Sequence, residues 1–413
     1  MRKKEGILLI LVILIVVLGL TGKYSNILGI IQQNIGGPGD FSGSKVISDV
    51  VVPAANAAET STQERKVNYE QLKALSYEQA YCYQLLNEDE KKIYVEILGA
   101  LNELNGDVTL SSTDVEQVVK IHEYVCADNP ELFWVNGYQV KPYEVAGETV
   151  QIKYSGLYTM NRGQRKNYQD AIAKVTDVWL EEIAQCSDEY EKIKKAYDLI
   201  ISNTSYDANA EESQNIVSVF ISGKSVCQGY AEAFQYLLKC SGIQSIVVSG
   251  TAFNGEKTEP HAWNLVRIGE NYYQFDVTWG EPNYQADEIG TREVDWEVSY
   301  KYFGITDKEI YVNHTAEMEI PLPECNSTEY NYYVKEGYYY EELDKEQLKL
   351  QFMEAEQSGT GVAHIRCDNS LLYKEMVTYL IEDSKVFYII KEHKEIQYSL
   401  DEDKMCIDIF WNI

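Results

Sequence analysis

The stretch Ser225-Val226-Cys227-Gln228-Gly229-Tyr230-Ala231-Glu232-Ala233-Phe234-Gln235-Tyr236-Leu237-Leu238-Lys239-Cys240-Ser241-Gly242 decides the architecture. Tyr230, Ala233, Phe234, Leu237 and Leu238 recur at the spacing of one helical face, and Gly242 supplies the residue that closes the helix. Three short runs follow it, SIVVSG (245–250), WNLVRI (263–268) and YYQFDVTW (272–279), and read as strands. A helix leading into a sheet built mainly from neighbouring strands is an α+β arrangement, not a doubly wound parallel sheet.

Upstream, apolar residues recur at helical spacing from Tyr69 to about Cys126, with Ser112 or Thr113 placed to cap the second helix. Tyr138 to Thr159 alternates in two runs around Val145-Ala146-Gly147-Glu148, the pattern of a hairpin, and two helices follow at roughly 162–185 and 188–202. Beyond Tyr330, strand-like runs (YNYYV, GVAHIRC, KVFYII, CIDIFW) alternate with helical ones (ELDKEQLKLQFMEAEQ, SLLYKEMVTYLIED), which predicts a small α/β appendage. The partition read from this is a helical N-terminal lobe with hairpin (66–160), a core (161–315) and a C-terminal domain (316–413).

Arg2, Lys3 and Lys4 precede an apolar run from Ile7 to Leu20, the form of an export signal, so the chain after about Lys23 is expected outside the cytoplasm. Gly6 to Gly22 carries no charge and sits at the lower limit of roughly 17 residues for a spanning helix. No Ala-x-Ala pattern follows it directly, and Ala55-Asn56-Ala57 lies too far downstream for an ordinary cleavage site. Residues 1–22 are therefore expected to remain as an anchor, with a cleaved signal peptide the alternative. Gln32 to Arg65 is rich in Gly, Ser, Ala, Gln and Pro, and residues 23–65 read as a flexible linker.

The 413 residues leave room for two or three domains, each able to bury a core. A formal net charge of −29 repels nucleic-acid phosphates and anionic lipid surfaces, which excludes nucleic-acid binding and limits membrane contact to the N-terminal segment. Eight cysteines in a chain this long are not a disulfide framework, and no Cys-x-x-Cys or metal-type Cys/His cluster occurs. If Cys227 stays free, an odd number remains, so a second thiol is expected free and buried, with Cys126 and Cys240 as the cases in apolar helical patterns.

A nucleophilic cysteine needs its thiolate favoured, and a helix N-terminus and an adjacent imidazole are the simplest means. Cys227 opens the helix that follows the loop Ser222-Gly223-Lys224-Ser225-Val226, although a packed or bonded cysteine fits that place as well. Among five histidines, His261 in Pro260-His261-Ala262-Trp263-Asn264 stands where a loop gives way to a strand and can face a helix terminus; a solvent-facing loop histidine is the alternative. Asp276 lies inside the aromatic run YYQFDVTW, where burying an ion is costly unless it is paired, and an imidazole would supply the partner. A turn or edge position would explain it too.

The ordered blocks SVCQGYAEAFQYLLKCSGI, HAWNLVRI and YYQFDVTW resemble the signature segments of the bacterial transglutaminase-like superfamily. CADNPELFW (126–134) and YKYFGITDKEI (300–310) resemble outer segments of the same family. The resemblance implies a papain-like α+β core in which Cys227 attacks a carbonyl and forms a thioester. His261 would take and return the proton, and Asp276 would fix its tautomer and orientation. Transfer of the acyl group to water makes a peptidase or amidase, and transfer to an amine makes a transglutaminase. The chain departs from animal transglutaminases, which carry Gly-Gln-Cys-Trp where this one has Ser225-Val226-Cys227-Gln228. With no Asp-rich calcium loop, no metal or other cofactor is expected. The expected function is a cysteine peptidase or amidase acting on protein or cell-wall peptide, at the cell surface or secreted, with an amine-transferring enzyme and a non-catalytic surface scaffold as alternatives. Gln228, Trp179 and Tyr206 are unranked candidates for a side-chain oxyanion donor.

Other signals carry less. Gly223-Lys224-Ser225 resembles the end of a phosphate-binding loop, but Ser218 stands where the first glycine should be. His122, His314, His364 and His393 lie in separate segments without ligand spacing and read as structural or surface residues. Asn87-Glu88-Asp89-Glu90 reads as a solvated helix end, and Gly337-Tyr338-Tyr339-Tyr340 as a packed strand.

Overall fold

The computed structural model describes residues 75–411 except 211–212, 282–297, 392 and 394, so the N-terminal anchor and linker expected from the sequence lie outside the described residues. Among those described, no helix is long and apolar enough to cross a membrane. The chain divides into two compact units, one of Cys82–Gln169 and one of Asp170–Ile413 with the stretch that ends at Tyr81.

In the first unit, helices α1 (Glu88–Asn102) and α2 (Val115–Asp128) bury Ile93, Tyr94, Ile97, Leu101, Val118, Ile121 and Val125 at the helical spacing that the sequence shows. Asn87 caps α1 through a capping box with Glu90, which explains the acidic run there. The cap of α2 is Asp114, whose carboxylate accepts from the N–H groups of Glu116 and Gln117, not Ser112 or Thr113. Ser112 instead turns its hydroxyl to Gln117. The hairpin forms from β2 (Val135–Val145) and β3 (Glu148–Tyr158), and β1 (Val108–Leu110) joins β3 to make a three-stranded antiparallel sheet. Helix α3 (Arg162–Ala184) carries the chain onward.

In the second unit, α4 (Glu189–Asn203) and α5 (Cys227–Cys240) precede a five-stranded antiparallel sheet of β4 (Ser245–Phe253), β5 (Thr258–Ile268), β6 (Asn271–Phe275), β7 (Phe303–Ile305) and β8 (His314–Ala316), in the order β8-β4-β5-β6-β7. Alternate residues of β5 do two jobs. Ala262 packs with Ala231 and Val247, and Asn264 donates to the Ala231 carbonyl, which holds α5 to the sheet. His261 and Trp263 point the other way, as the two-residue period of a strand requires. A helix on an antiparallel sheet is the α+β class read from the sequence.

The C-terminal segment builds a four-stranded sheet, β9 (Tyr339–Tyr340), β10 (Val362–Cys367), β11 (Gln397–Asp401) and β12 (Cys406–Phe410), in the order β9-β10-β12-β11. Helices α6 (Lys345–Ser358) and α7 (Ser370–Val377) contribute Leu348, Phe352, Leu372 and Met376 to its apolar core. Two runs expected as strands are helical turns instead, Tyr332–Lys335 and Val386–Ile389. Asn331 caps the first turn by accepting from Tyr333 N–H, a local bond that aromatic composition does not reveal. Lys301 is buried between Asp401 (3.4 Å) and Asp408 (3.6 Å), and Arg366 pairs with Glu309, so charged pairs link this sheet to the residues around β7.

Candidate active site

Cys227 is the first residue of α5, and Val226 before it offers no side-chain cap. Its backbone N–H groups are thus left to face whatever lies at the helix end, and the dipole there favours negative charge. The loop beneath is locked around Gly229. A Cβ at that position would stand 2.1 Å from Ser225 Oγ and 2.8 Å from both the Ser213 carbonyl and Ser218 Oγ. Ser225 Oγ donates to the Ser213 carbonyl at 3.0 Å and lies 2.7 Å from Ser218 Oγ. Lys224 and Ser225 pair in parallel with Ser205 and Tyr206, so the Gly-Lys-Ser sequence serves as the approach to Cys227.

His261 sits within β5, not at its start, where it pairs across the sheet with Gly250. Its Nε2 lies 2.7 Å from Asp276 Oδ2, and Cys227 stands near enough to add to the push of Asp276 on the ring's pKa. Asp276 stands just past the end of β6 rather than inside a strand. Its own N–H donates to the Tyr302 carbonyl, and its Oδ1 accepts from Trp279 N–H at 3.0 Å. The carboxylate is fully buried. The structure therefore brings Cys227, His261 and Asp276 together in that order.

The electrostatics follow from burial set against pairing. Burial alone would pull His261 down, but the charge and hydrogen bond of Asp276, followed by those of Cys227, push it up to about 10. Burial would raise Asp276, yet the charge and bond of His261 and the bond of His314 hold it well below the usual carboxylate range. Rings pack closely around the imidazole, with Trp279 at 5.4 Å and Trp263 at 6.3 Å between centroids.

His314, expected to be structural or at the surface, is the residue that sequence reasoning missed. Its Nε2 lies 3.1 Å from the same Asp276 oxygen that holds His261. Gly250 pairs with His261 on one side and Ala316 on the other, and having no side chain it lets β8 approach β4 closely, since a Cβ there would stand 1.9 Å from the Thr315 carbonyl oxygen. Among the described residues, His261, Asp276 and His314 form a group whose nitrogen and oxygen atoms lie within 4.8 Å of one another, as a metal site would require. Distances of 2.7 and 3.1 Å are those of direct N–H···O bonds, whereas ligands around a metal at about 2.0–2.2 Å stand farther apart. We read the group as hydrogen-bonded.

The remaining histidines are satisfied. His122 is bonded to Tyr154 Oη, His364 to Asp408 and His393 to Glu356. All eight cysteines are free, and the buried ones are Cys82, Cys325, Cys367 and Cys406, while Cys126 and Cys240 are only partly covered. Of the oxyanion candidates, Trp179 packs edge-on against Phe220, Tyr206 offers its backbone N–H to Glu281, and Gln228 gives a side-chain N–H to Glu232.

Residues 178–277 match the model of the Transglutaminase-like superfamily, so the segment holding Cys227, His261 and Asp276 is a transglutaminase-like core. The mouse (Mus musculus) Kyphoscoliosis peptidase is 24% identical over 113 residues, a match that covers 24% of this chain and 17% of that protein. A TGase crystal structure is similar over 34% of this chain and 45% of its own, at 18% identity and a TM-score of 0.26. A candidate cysteine protease from Cytophaga hutchinsonii is similar over 36% and 64%, at 15% identity and a TM-score of 0.24. The chain thus spans less than a fifth of the curated relative, and His314 lies beyond the residues matched to the family.

Proposed function

We propose that the chain is a thiol acyl-enzyme that hydrolyses protein or peptide amides, with Cys227 as nucleophile, His261 as acid and base, and Asp276 as the group that orients the imidazole. One observation carries this reading: a buried imidazole bonded to a carboxylate and standing beside a cysteine at a helix N-terminus. The Cys227 thiol gives its proton to His261 as its sulfur bonds to the substrate carbonyl carbon, whose oxygen takes up the electron pair of the C=O bond. As the C–N bond breaks, the leaving amine takes a proton from His261, and a thioester remains. Water then gives a proton to His261 and attacks the thioester, which releases the acid and restores the thiol. The backbone N–H groups opening α5 are placed to hold the oxyanion. The core domain 161–315 would supply all three groups. The basic-then-apolar N-terminus supports a location outside the cytoplasm, at the surface or secreted, where wall or surface proteins are the available peptides.

The test needs no substrate. Alkylation of the protein at pH 6 to 7, mapped by mass spectrometry over all eight cysteines, is expected to find Cys227 fastest, with that lead lost in His261→Ala. An inert Cys227 would overturn the reading in favour of a scaffold. Incorporation of a primary amine into a peptide product, in place of hydrolysis, would assign the transfer reaction instead.

A further inference from the structure

We propose that His314 is a positioning residue of this site: as the neutral Nε2–H tautomer it donates to Asp276 and holds the same carboxylate oxygen that His261 uses. The inference rests on the reading of Cys227, His261 and Asp276 as the reacting groups.

Asp276 Oδ2 is shared by two ring nitrogens, His261 at 2.7 Å and His314 at 3.1 Å, while Oδ1 is taken by Trp279 N–H. A carboxylate that accepts one imidazole can swing with it. One fixed by three donors from different segments cannot, so the direction in which it presents its lone pair to His261 is set before substrate arrives. His314 is itself held. Its ring lies 4.6 Å from Trp279, 5.0 Å from Trp263 and 5.6 Å from Tyr302, and its backbone is fixed by the pairing of β8 with β4.

The far side of the ring completes a chain. Nδ1 lies 2.8 Å from Asn313 Oδ1, and Asn313 Nδ2 donates to Tyr302 Oη at 2.8 Å. The two ends of an amide have the same shape, and a neutral Nε2–H ring calls for Asn313 turned end for end, so that Nδ1 accepts an N–H from it. In that orientation the Tyr302 hydroxyl donates to the Asn313 oxygen, which completes the chain from Tyr302 to Asp276. The ionisable groups facing His314 are Asp276 from the end of β6, His261 from β5, Tyr302 before β7, and Lys404 from the turn between β11 and β12, whose Nζ stands 4.2 Å from the centre of the Tyr302 ring. Burial lowers His314 against the pull of Asp276, and the charges of His261 and Lys404 lower it further, in keeping with a neutral ring.

A second donor on Asp276 also spreads the carboxylate charge that His261 feels. Removing it should make His261 more basic and its orientation looser. The experiment compares the pH profile of Cys227 alkylation in the parent, His314→Phe and His314→Gln, the last of which keeps an N–H donor. In the Phe variant the limb set by His261 deprotonation is expected to move up by about half a unit or more, with the rate at pH 7 down roughly tenfold, and in the Gln variant both are expected to return most of the way. A residue that only fills space would lower the melting temperature without moving the profile, so a Phe profile that superimposes on the parent overturns the inference. A parent with no reactivity lead at Cys227 overturns the thiol reading and the inference with it. If the Phe variant does not fold, imidazole nitrogen spectra of the parent decide: the Nε2–H tautomer at His314 supports the inference, and the Nδ1–H tautomer or an imidazolium overturns it.

Discussion

Asp276 accepts bonds from two imidazoles on one oxygen and a backbone N–H on the other, away from water, and asparagine cannot reproduce that set. Its amide has one acceptor atom, so either Trp279 N–H or the two ring N–H groups would meet another donor. Asp276→Asn is expected to cost about 3 kcal/mol in urea unfolding and to slow Cys227 alkylation about a hundredfold, the first because a buried pair loses one partner and the second because His261 loses its orientation. An unchanged rate in a folded variant would remove Asp276 from the site. The paired charges also set how stability varies with pH. His261 is held above its unfolded value of about 6.5, so its contribution is complete below that pH and is lost as pH rises toward about 10. Asp276 is held below its unfolded value, so its contribution is present above about pH 4 and lost as pH falls. Unfolding free energy measured from pH 4 to 10 should decline across the upper range in the parent and much less in His261→Gln. Cys227, His261 and Asp276 were singled out by the three ordered blocks that contain them, although the structure sets His261 within β5 and Asp276 just past β6. His314 was not, since nothing within its own segment marks it.

At the scale of elements, periodicity made the long helices and the hairpin readable, while β8 escaped because three residues carry no period. Its place is set by β4, more than sixty positions away in sequence, and specifically by Gly250. A Cβ there would stand 1.9 Å from the Thr315 carbonyl oxygen, which is backbone and cannot turn aside. Gly250→Ala is therefore expected to separate β8 from β4 at a cost of about 1–3 kcal/mol and to withdraw His314 from Asp276. Hydrogen exchange should then show lost protection at Thr251 and Phe253, whose N–H groups face β8 and Asn313, with α5 unchanged. Protection that persists at both would mean that the strand shifts as a unit with its pairing intact. The short helical turn at Tyr332–Lys335 was misread for a related reason: Tyr and Val favour strands on average, and the cap at Asn331 overrides an average over four residues, whereas the turn at Val386–Ile389 has no side-chain cap to explain it.

At the scale of the molecule, the two units should respond to pH in different ways. Asp128, buried in the first, is pushed up to about 6 by burial, against bonds from the N–H groups of Cys82 and Tyr83 and from Tyr94 Oη. The folded unit therefore binds a proton that the unfolded chain has already released, and its stability falls by about 3 kcal/mol as pH rises from about 4 to about 6. Hydrogen exchange along α2 should report the loss, and Asp128→Asn should abolish its pH dependence. The second unit poses a sharper question, because the sequence reads its C-terminal sheet as an appendage while its charges are spent on the core. Lys301 is 6% exposed and has Asp401 and Asp408 as its ion-pair partners, Glu309 is paired with Arg366, and Lys404 donates to the Glu309 carbonyl. Deleting residues 323–413 would leave Lys301 without either acid and would uncover Tyr302, on which the proposed chain to Asp276 ends. Breaking a buried pair by removing one side costs about 3–5 kcal/mol, a large share of the 5–15 kcal/mol that a domain has in total. The truncated chain is expected to be insoluble or to unfold at much lower urea, whereas Lys301→Met, which keeps the sheet and leaves Asp408 its bond to His364, is expected to lose stability but stay folded. A soluble truncation whose Cys227 alkylates as in the parent would show that the core stands alone and that the C-terminal sheet serves some other purpose.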